Sequence, residues 1–244
     1  REQITFDDEP ITAATAPQTG GAPGFIFLRD QGGNENAQIF YRDLTTRTTR
    51  RLTDGQSRNA SAVWSRDGRR VAYTSTARDG VSYDLYIADV LENAAPRFVM
   101  NGMSKTWFAL DWSVDDSKLL VLNYRSINES YLFIADAITG SLTPVDAGNN
   151  RVGIRAARFA PDGRYIYLIS DRDSEFARLR RVDTVLDEVA ILTERIPWDI
   201  ASFDVSPDGR YVAFVANVDG YSRLTILDQI NQSEISPPLA DVQI

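Results

Sequence analysis

One hairpin, written four times, constrains this chain more than any other feature. Its fullest copy is Val205-Ser206-Pro207-Asp208-Gly209-Arg210, with alternating apolar residues before it and the run Tyr211-Val212-Ala213-Phe214-Val215 after it. Pro207 presets φ at the first central turn position, Asp208 can bond its own backbone, and Gly209 accepts the left-handed conformation that closes the turn. Three more copies align without gaps: Trp64-Ser65-Arg66-Asp67-Gly68-Arg69, Trp112-Ser113-Val114-Asp115-Asp116-Ser117 and Phe159-Ala160-Pro161-Asp162-Gly163-Arg164. The turn aspartates stand at 67, 115, 162 and 208, so the steps are 48, 47 and 46 residues. A second landmark, an apolar strand ending in aspartate, recurs at Asp43, Asp89, Asp136, Asp183 and Asp228, in steps of 46, 47, 47 and 45. Two landmarks that keep one period define a structural repeat.

Each period has room for about four short strands joined by hairpins, which fits a β-propeller blade; a solenoid repeat is shorter. The expected fold is all-β: about five four-stranded antiparallel blades at approximately 7–54, 55–101, 102–148, 149–195 and 196–244, with Arg1–Phe6 closing a preceding blade. In the first blade the strands read Ile11–Ala16, Phe25–Leu28, Gln38–Asp43 and Arg50–Thr53, with a degenerate turn at Gln18–Gly24. Nothing resembles a linker or a long helix, so one domain is expected. The aromatic before each turn (Trp64, Trp112, Phe159) is expected to fill the wedge between adjacent sheets.

Composition removes several chemistries. A hydrophobic content of 43% supplies a core, while a net charge of −8 argues against a nucleic-acid partner. No apolar run approaches the roughly 20 residues of a spanning helix, and a soluble chain, cytoplasmic or periplasmic, is expected. No signal sequence is visible, and the lack of an initiator Met suggests a mature, trimmed or excised chain. Cysteine is absent, which excludes disulfides and thiolate chemistry; histidine is absent too, which excludes a Ser-His-Asp triad and imidazole-ligated metals.

The stretch Ser206-Pro207-Asp208-Gly209-Arg210-Tyr211-Val212-Ala213-Phe214, followed by Asp219-Gly220-Tyr221-Ser222-Arg223-Leu224 and a strand ending in Asp228, resembles the WD-like propeller repeat of TolB and of the prolyl oligopeptidase family. Segments such as Ser126-Ile127-Asn128-Glu129-Ser130, Asp171-Arg172-Asp173-Ser174-Glu175-Phe176 and Ile196-Pro197-Trp198-Asp199 are similar to those of the peptidase branch. The resemblance covers essentially the whole chain. It implies a seven- or eight-bladed propeller capping an α/β-hydrolase domain that carries the triad. This chain has neither histidine nor a Gly-x-Ser-x-Gly elbow. The expectation is therefore a non-catalytic propeller region that gates and selects peptides for a C-terminal hydrolase domain absent from the chain. The alternatives are a TolB-like protein-interaction scaffold, a closed five-blade ring joined by Arg1–Phe6, and a glycosidase or lyase using carboxylates alone.

Recognition is expected on the loops between second and third strands: Asp30–Ala37, Ala77–Ser82, Tyr124–Ser130, Asp171–Phe176 and Asn217–Ser222. Three carry a glutamate, Glu35, Glu129 and Glu175, and the resemblance implies that such carboxylates hold the free amino terminus of a peptide. Arg125 and Arg172 are candidates for a peptide carboxylate. The bland alternative for the glutamates is that they only solubilise exposed hairpins. The repeated strand-end aspartates are expected to cap the turns that follow them. Asp171-x-Asp173-x-Glu175 has oxygen ligands in alternation but lacks the glycine and downstream glutamate of a calcium loop, so neither metal nor cofactor is expected. Open blade edges would favour self-association.

Overall fold

A computed structural model describes residues 9–18, 20–103, 105–146 and 151–237. The described residues form twenty strands and no helix. They fall into five four-stranded sheets, each a meander in which chain neighbours pair. The first sheet holds β1 (Ala13–Thr15), β2 (Gly24–Arg29), β3 (Gln38–Asp43) and β4 (Thr49–Arg51). The second holds β5 (Asn59–Trp64), β6 (Arg70–Ser75), β7 (Asp84–Asp89) and β8 (Arg97–Met100). The third holds β9 (Thr106–Trp112), β10 (Lys118–Ser126), β11 (Glu129–Asp136) and β12 (Leu142–Val145). The fourth holds β13 (Ile154–Phe159), β14 (Tyr165–Ser170), β15 (Arg178–Asp183) and β16 (Glu188–Ile191). The fifth holds β17 (Ile200–Val205), β18 (Tyr211–Val218), β19 (Tyr221–Asp228) and β20 (Ser233–Ile235). The closing strand expected at Arg1–Phe6, and the chain end after Pro237, lie outside the described residues.

The repeated turn closes as its residues dictate. Ser65, Ser113 and Ser206 each donate a hydroxyl hydrogen bond to the turn aspartate two residues on, at 2.5, 2.6 and 2.6 Å. The same hydroxyl oxygens accept the amides of Arg70, Lys118 and Tyr211. Gly68, Gly163 and Gly209 take φ of 66°, 71° and 72°; in the third sheet Asp116 takes that place at φ 56°. All five strand-end aspartates cap the next turn, each Oδ1 accepting two amides, such as Thr45 and Thr46 for Asp43 or Ile230 and Asn231 for Asp228.

Two of the expected loops are instead tight hairpins. β10 and β11 leave only Ile127 and Asn128 between them, and β18 and β19 only Asp219 and Gly220. The ladder continues through Asn217 with Ser222 and Val218 with Tyr221. Asp219 and Gly220 both have positive φ, 51° and 85°, which is the turn whose twist suits a two-residue hairpin. Polar composition marked these stretches as loops, yet backbone pairing carries the strands through them.

The chain forms two compact units, one reaching to Arg125 and including Phe133–Thr143, the other made of Ser126–Leu132 and the chain from Pro144 onward. In the first unit, Ile26, Ile39 and Tyr41 pack against Val71, Tyr73 and Ala88 of the second sheet. The other face of that sheet, with Ala72, Leu85 and Ile87, packs against Trp107, Trp112 and Leu119 of the third. Indole donors cross these seams: Trp64 Nε1 to the Thr15 carbonyl at 3.0 Å and Trp112 Nε1 to the Val63 carbonyl at 3.1 Å. Arginines clamp the outer seam. Arg50 donates to the Val90 and Glu92 carbonyls, and Arg97 to those of Ala137 and Ile138. In the second unit, Tyr167, Ile169 and Leu179 of the fourth sheet pack against Phe203, Val212 and Phe214 of the fifth.

Candidate binding face

In an antiparallel meander the connection between second and third strands lies at the opposite end from the repeated turn. These connections are held by carboxylates. In the first unit, Asp79 Oδ1 accepts the Val81 and Ser82 amides at 2.9 and 2.7 Å. The Ser82 amide and hydroxyl, with the Val81 amide, bring the Asp79 carboxyl down to about 2. Arg78 pairs with the fully buried Asp84 at 2.6 Å, and Asp84 Oδ1 takes the Gly102 amide at 2.7 Å. Glu35 is exposed in its loop at φ 58°, its amide bonded to Asp30 Oδ2 at 3.0 Å. Arg125 is exposed on β10.

In the second unit, Glu129 opens strand β11 rather than sitting in a loop. Its Oε1 accepts the Tyr131 hydroxyl at 3.0 Å and its Oε2 pairs with Arg151 at 3.4 Å, leaving its side chain 16% exposed. Arg172 lies flat against Asp146, with Nε to Oδ2 at 2.8 Å and Nη2 to the carbonyl at 2.6 Å. Both members of that pair are nearly buried, at 14% and 12% side-chain exposure. Glu175 is exposed. Its loop is tied at both ends: the Ser174 amide bonds the Asp171 carbonyl, and the Ala177 amide bonds Asp199 Oδ1 at 2.7 Å. Asp171 Oδ1 accepts the Gly153 amide at 2.7 Å. Of the two candidate glutamates in this unit, Glu129 and Glu175, it is therefore Glu175 that is presented to solvent.

Sequence reasoning passed over a pair of cross-sheet ion pairs that join the edge strand β13 to the edge strand β17 and the residue just before it. Arg155 reaches Asp199 at 2.8 Å and Arg158 reaches Asp204 at 3.2 Å. Burial opposes ionisation of Asp199, but the Ala177 amide and the Arg155 guanidinium outweigh it and hold the carboxyl below the usual range. No pattern of neighbouring residues announces these pairs, because their members are 44 to 46 positions apart and meet only when successive sheets stand side by side. The arrangement offers fixed charges for ligand termini. It offers no imidazole base, and no cluster of three acidic groups among the described residues is placed to hold a metal ion.

No model of a known protein family matches the chain. Among curated proteins, the Tol-Pal system protein TolB of Desulfosudis oleivorans is 31% identical over 137 residues, 54% of this chain and 29% of that protein. Dipeptidyl-peptidase 5 of Porphyromonas gingivalis is 25% identical over 170 residues, 59% of this chain and 22% of that protein. The chain thus spans less than a third of the length of either. Among solved structures, a puromycin-hydrolyzing peptidase of Mycobacterium tuberculosis superposes with a TM-score of 0.73 at 14% identity, covering 95% of this chain and 40% of that one. Taken with five serial four-stranded meanders, these likenesses identify the chain as a β-propeller whose WD-like repeats resemble those of TolB and of prolyl oligopeptidase family propellers.

Proposed function

We propose that this chain is one non-catalytic propeller domain, residues 1–244, that selects peptide substrates for an α/β-hydrolase domain encoded outside it. The observation that carries the reading is a mismatch of chemistry and likeness. Nearly the whole chain superposes on part of a peptidase, yet it has neither histidine nor a Gly-x-Ser-x-Gly elbow. A propeller beside a hydrolase contributes access and orientation, and the exposure of Glu175 supports assigning it the peptide ammonium. The isolated chain is expected to show no hydrolysis of peptidyl chromogenic substrates. In the complete enzyme, Glu175→Gln should raise KM for substrates with a free amino terminus more than for acetylated ones. Equal effects on both would remove the ammonium-binding role, and hydrolysis by the isolated chain that a serine-directed inhibitor abolishes would overturn the non-catalytic reading.

The 31% identity to TolB favours a second reading, an interaction scaffold. Sequence following Ile244 in the full polypeptide separates the two: Gly-x-Ser-x-Gly, then Asp and His, belongs only to the first. Self-association fits either reading. Val205, Tyr211, Ala213, Ile226 and Ile235 line a groove of about 450 Å³ on the fifth sheet. Sedimentation should show a concentration-dependent dimer that Ile226→Lys disperses; a monomer at all concentrations would remove it.

A further inference from the structure

We propose that Arg155 and Arg158 form a binding site for the terminal carboxylate of a peptide. The inference rests on the peptide-selecting reading and assigns the opposite end of the ligand from Glu175. Arg172 is unsuited to the task, because its guanidinium is nearly buried and already spans the carboxylate and carbonyl of Asp146. Arg155 is different. The register jumps from Ile154 opposite Ser170 to Ala156 opposite Ile169, so Arg155 is the extra residue of a β-bulge. A bulge re-aims the side chain that it releases from the ladder. That side chain is 48% exposed, and its Nη2 is anchored by Asp199, which the Ala177 amide fixes in turn. The other donors of this half-exposed guanidinium belong to the planar fork that a carboxylate accepts.

Arg158 follows on the same edge strand, 42% exposed and steadied by Asp204. Two guanidiniums from β13 thus stand beside two carboxylates of the neighbouring sheet, Asp199 just before the edge strand β17 and Asp204 within it. The balance of charge selects the ligand class. With one aspartate per arginine and a net charge of −8 over the chain, a polyphosphate or nucleic acid would meet repulsion that a single carboxylate avoids. A peptide terminus brings one negative charge and two parallel acceptors, which suits a fork held in place by its own counter-ion.

The test uses the 244-residue chain and one tetrapeptide, acetylated at its amino end and prepared either as the free acid or as the carboxyl amide. By calorimetric titration the acid should bind at least about tenfold more tightly than the amide. Arg155→Ala should bring the acid to the level of the amide, Arg155→Lys should recover part of the difference, and Arg158→Ala should lose part of it. The arginine Nε–H signals of wild-type protein should shift with the acid and stay in place with the amide. Circular dichroism of Arg155→Ala matching wild type ensures that lost binding is not lost folding. Equal affinities for acid and amide would overturn the carboxylate site and leave peptide selection standing. Absence of binding by either form would overturn both.

Discussion

At the scale of single residues, Asp116 shows how one departure from the repeat becomes useful. Glycine stands at the matching turn position in three other sheets, and an L residue at φ 56° costs roughly 1–2 kcal/mol. Its carboxylate accepts the amides of Arg66 at 2.6 Å and Asp67 at 3.0 Å, so the third sheet's turn is stitched to the second sheet's turn. Replacing it by glycine relieves the backbone but loses both bonds, whereas alanine loses the bonds and keeps the strain. Asp116→Ala should therefore lower stability by about 2–4 kcal/mol and Asp116→Gly by about 1 kcal/mol less, read from urea midpoints. The reverse order would remove the strain argument. Trp112 is fully buried with its indole bonded to Val63, and Trp112→Ala should cost about 3–5 kcal/mol in the same measurement.

At the scale of the strand and hairpin, the sequence exposed what local chemistry controls. β3 begins and ends, and β7 ends, where alternation and a terminal aspartate place them, because each pattern is contained within one element. The hairpins after β10 and β18 were hidden since strand pairing overrides polar composition. The arginine clamps were hidden for another reason: Arg97 and its acceptors Ala137 and Ile138 are 40 and 41 residues apart. The same holds at the candidate site, where Glu175 and its loop could be read along the chain and the Arg155–Asp199 pair could not. The clamps have a testable weight. Arg97 is exposed, so Arg97→Ala should lower the urea midpoint by an amount equivalent to about 1 kcal/mol, and Arg97→Lys, which cannot span both carbonyls, should recover little of it. Full recovery by lysine would reduce the clamp to simple charge.

For the whole molecule, charge and fold respond to acid in separate windows. The sequence isoelectric point is near 4.7, so the net charge of −8 at neutral pH falls to zero there and colloidal repulsion vanishes. The carboxylates that close the repeats titrate lower. Hydroxyls of Ser113 and Ser117 bring Asp115 to about 2, and the guanidiniums of Arg164 and Arg210 do the same for Asp183 and Asp228. Because their folded values lie below the ordinary carboxylate value, their contribution is present above about pH 4 and is lost as the pH falls toward 2. Turbidity should thus peak near pH 4.7 while the β-sheet circular dichroism signal of the soluble fraction is retained, and unfolding should follow only below about pH 4. In Asp183→Asn combined with Asp228→Asn, stability should be lower at neutral pH and should decline less between pH 4 and 2. Loss of the β signal at the isoelectric point, or an unchanged acid slope in the double variant, would show that acid acts through other groups than these caps.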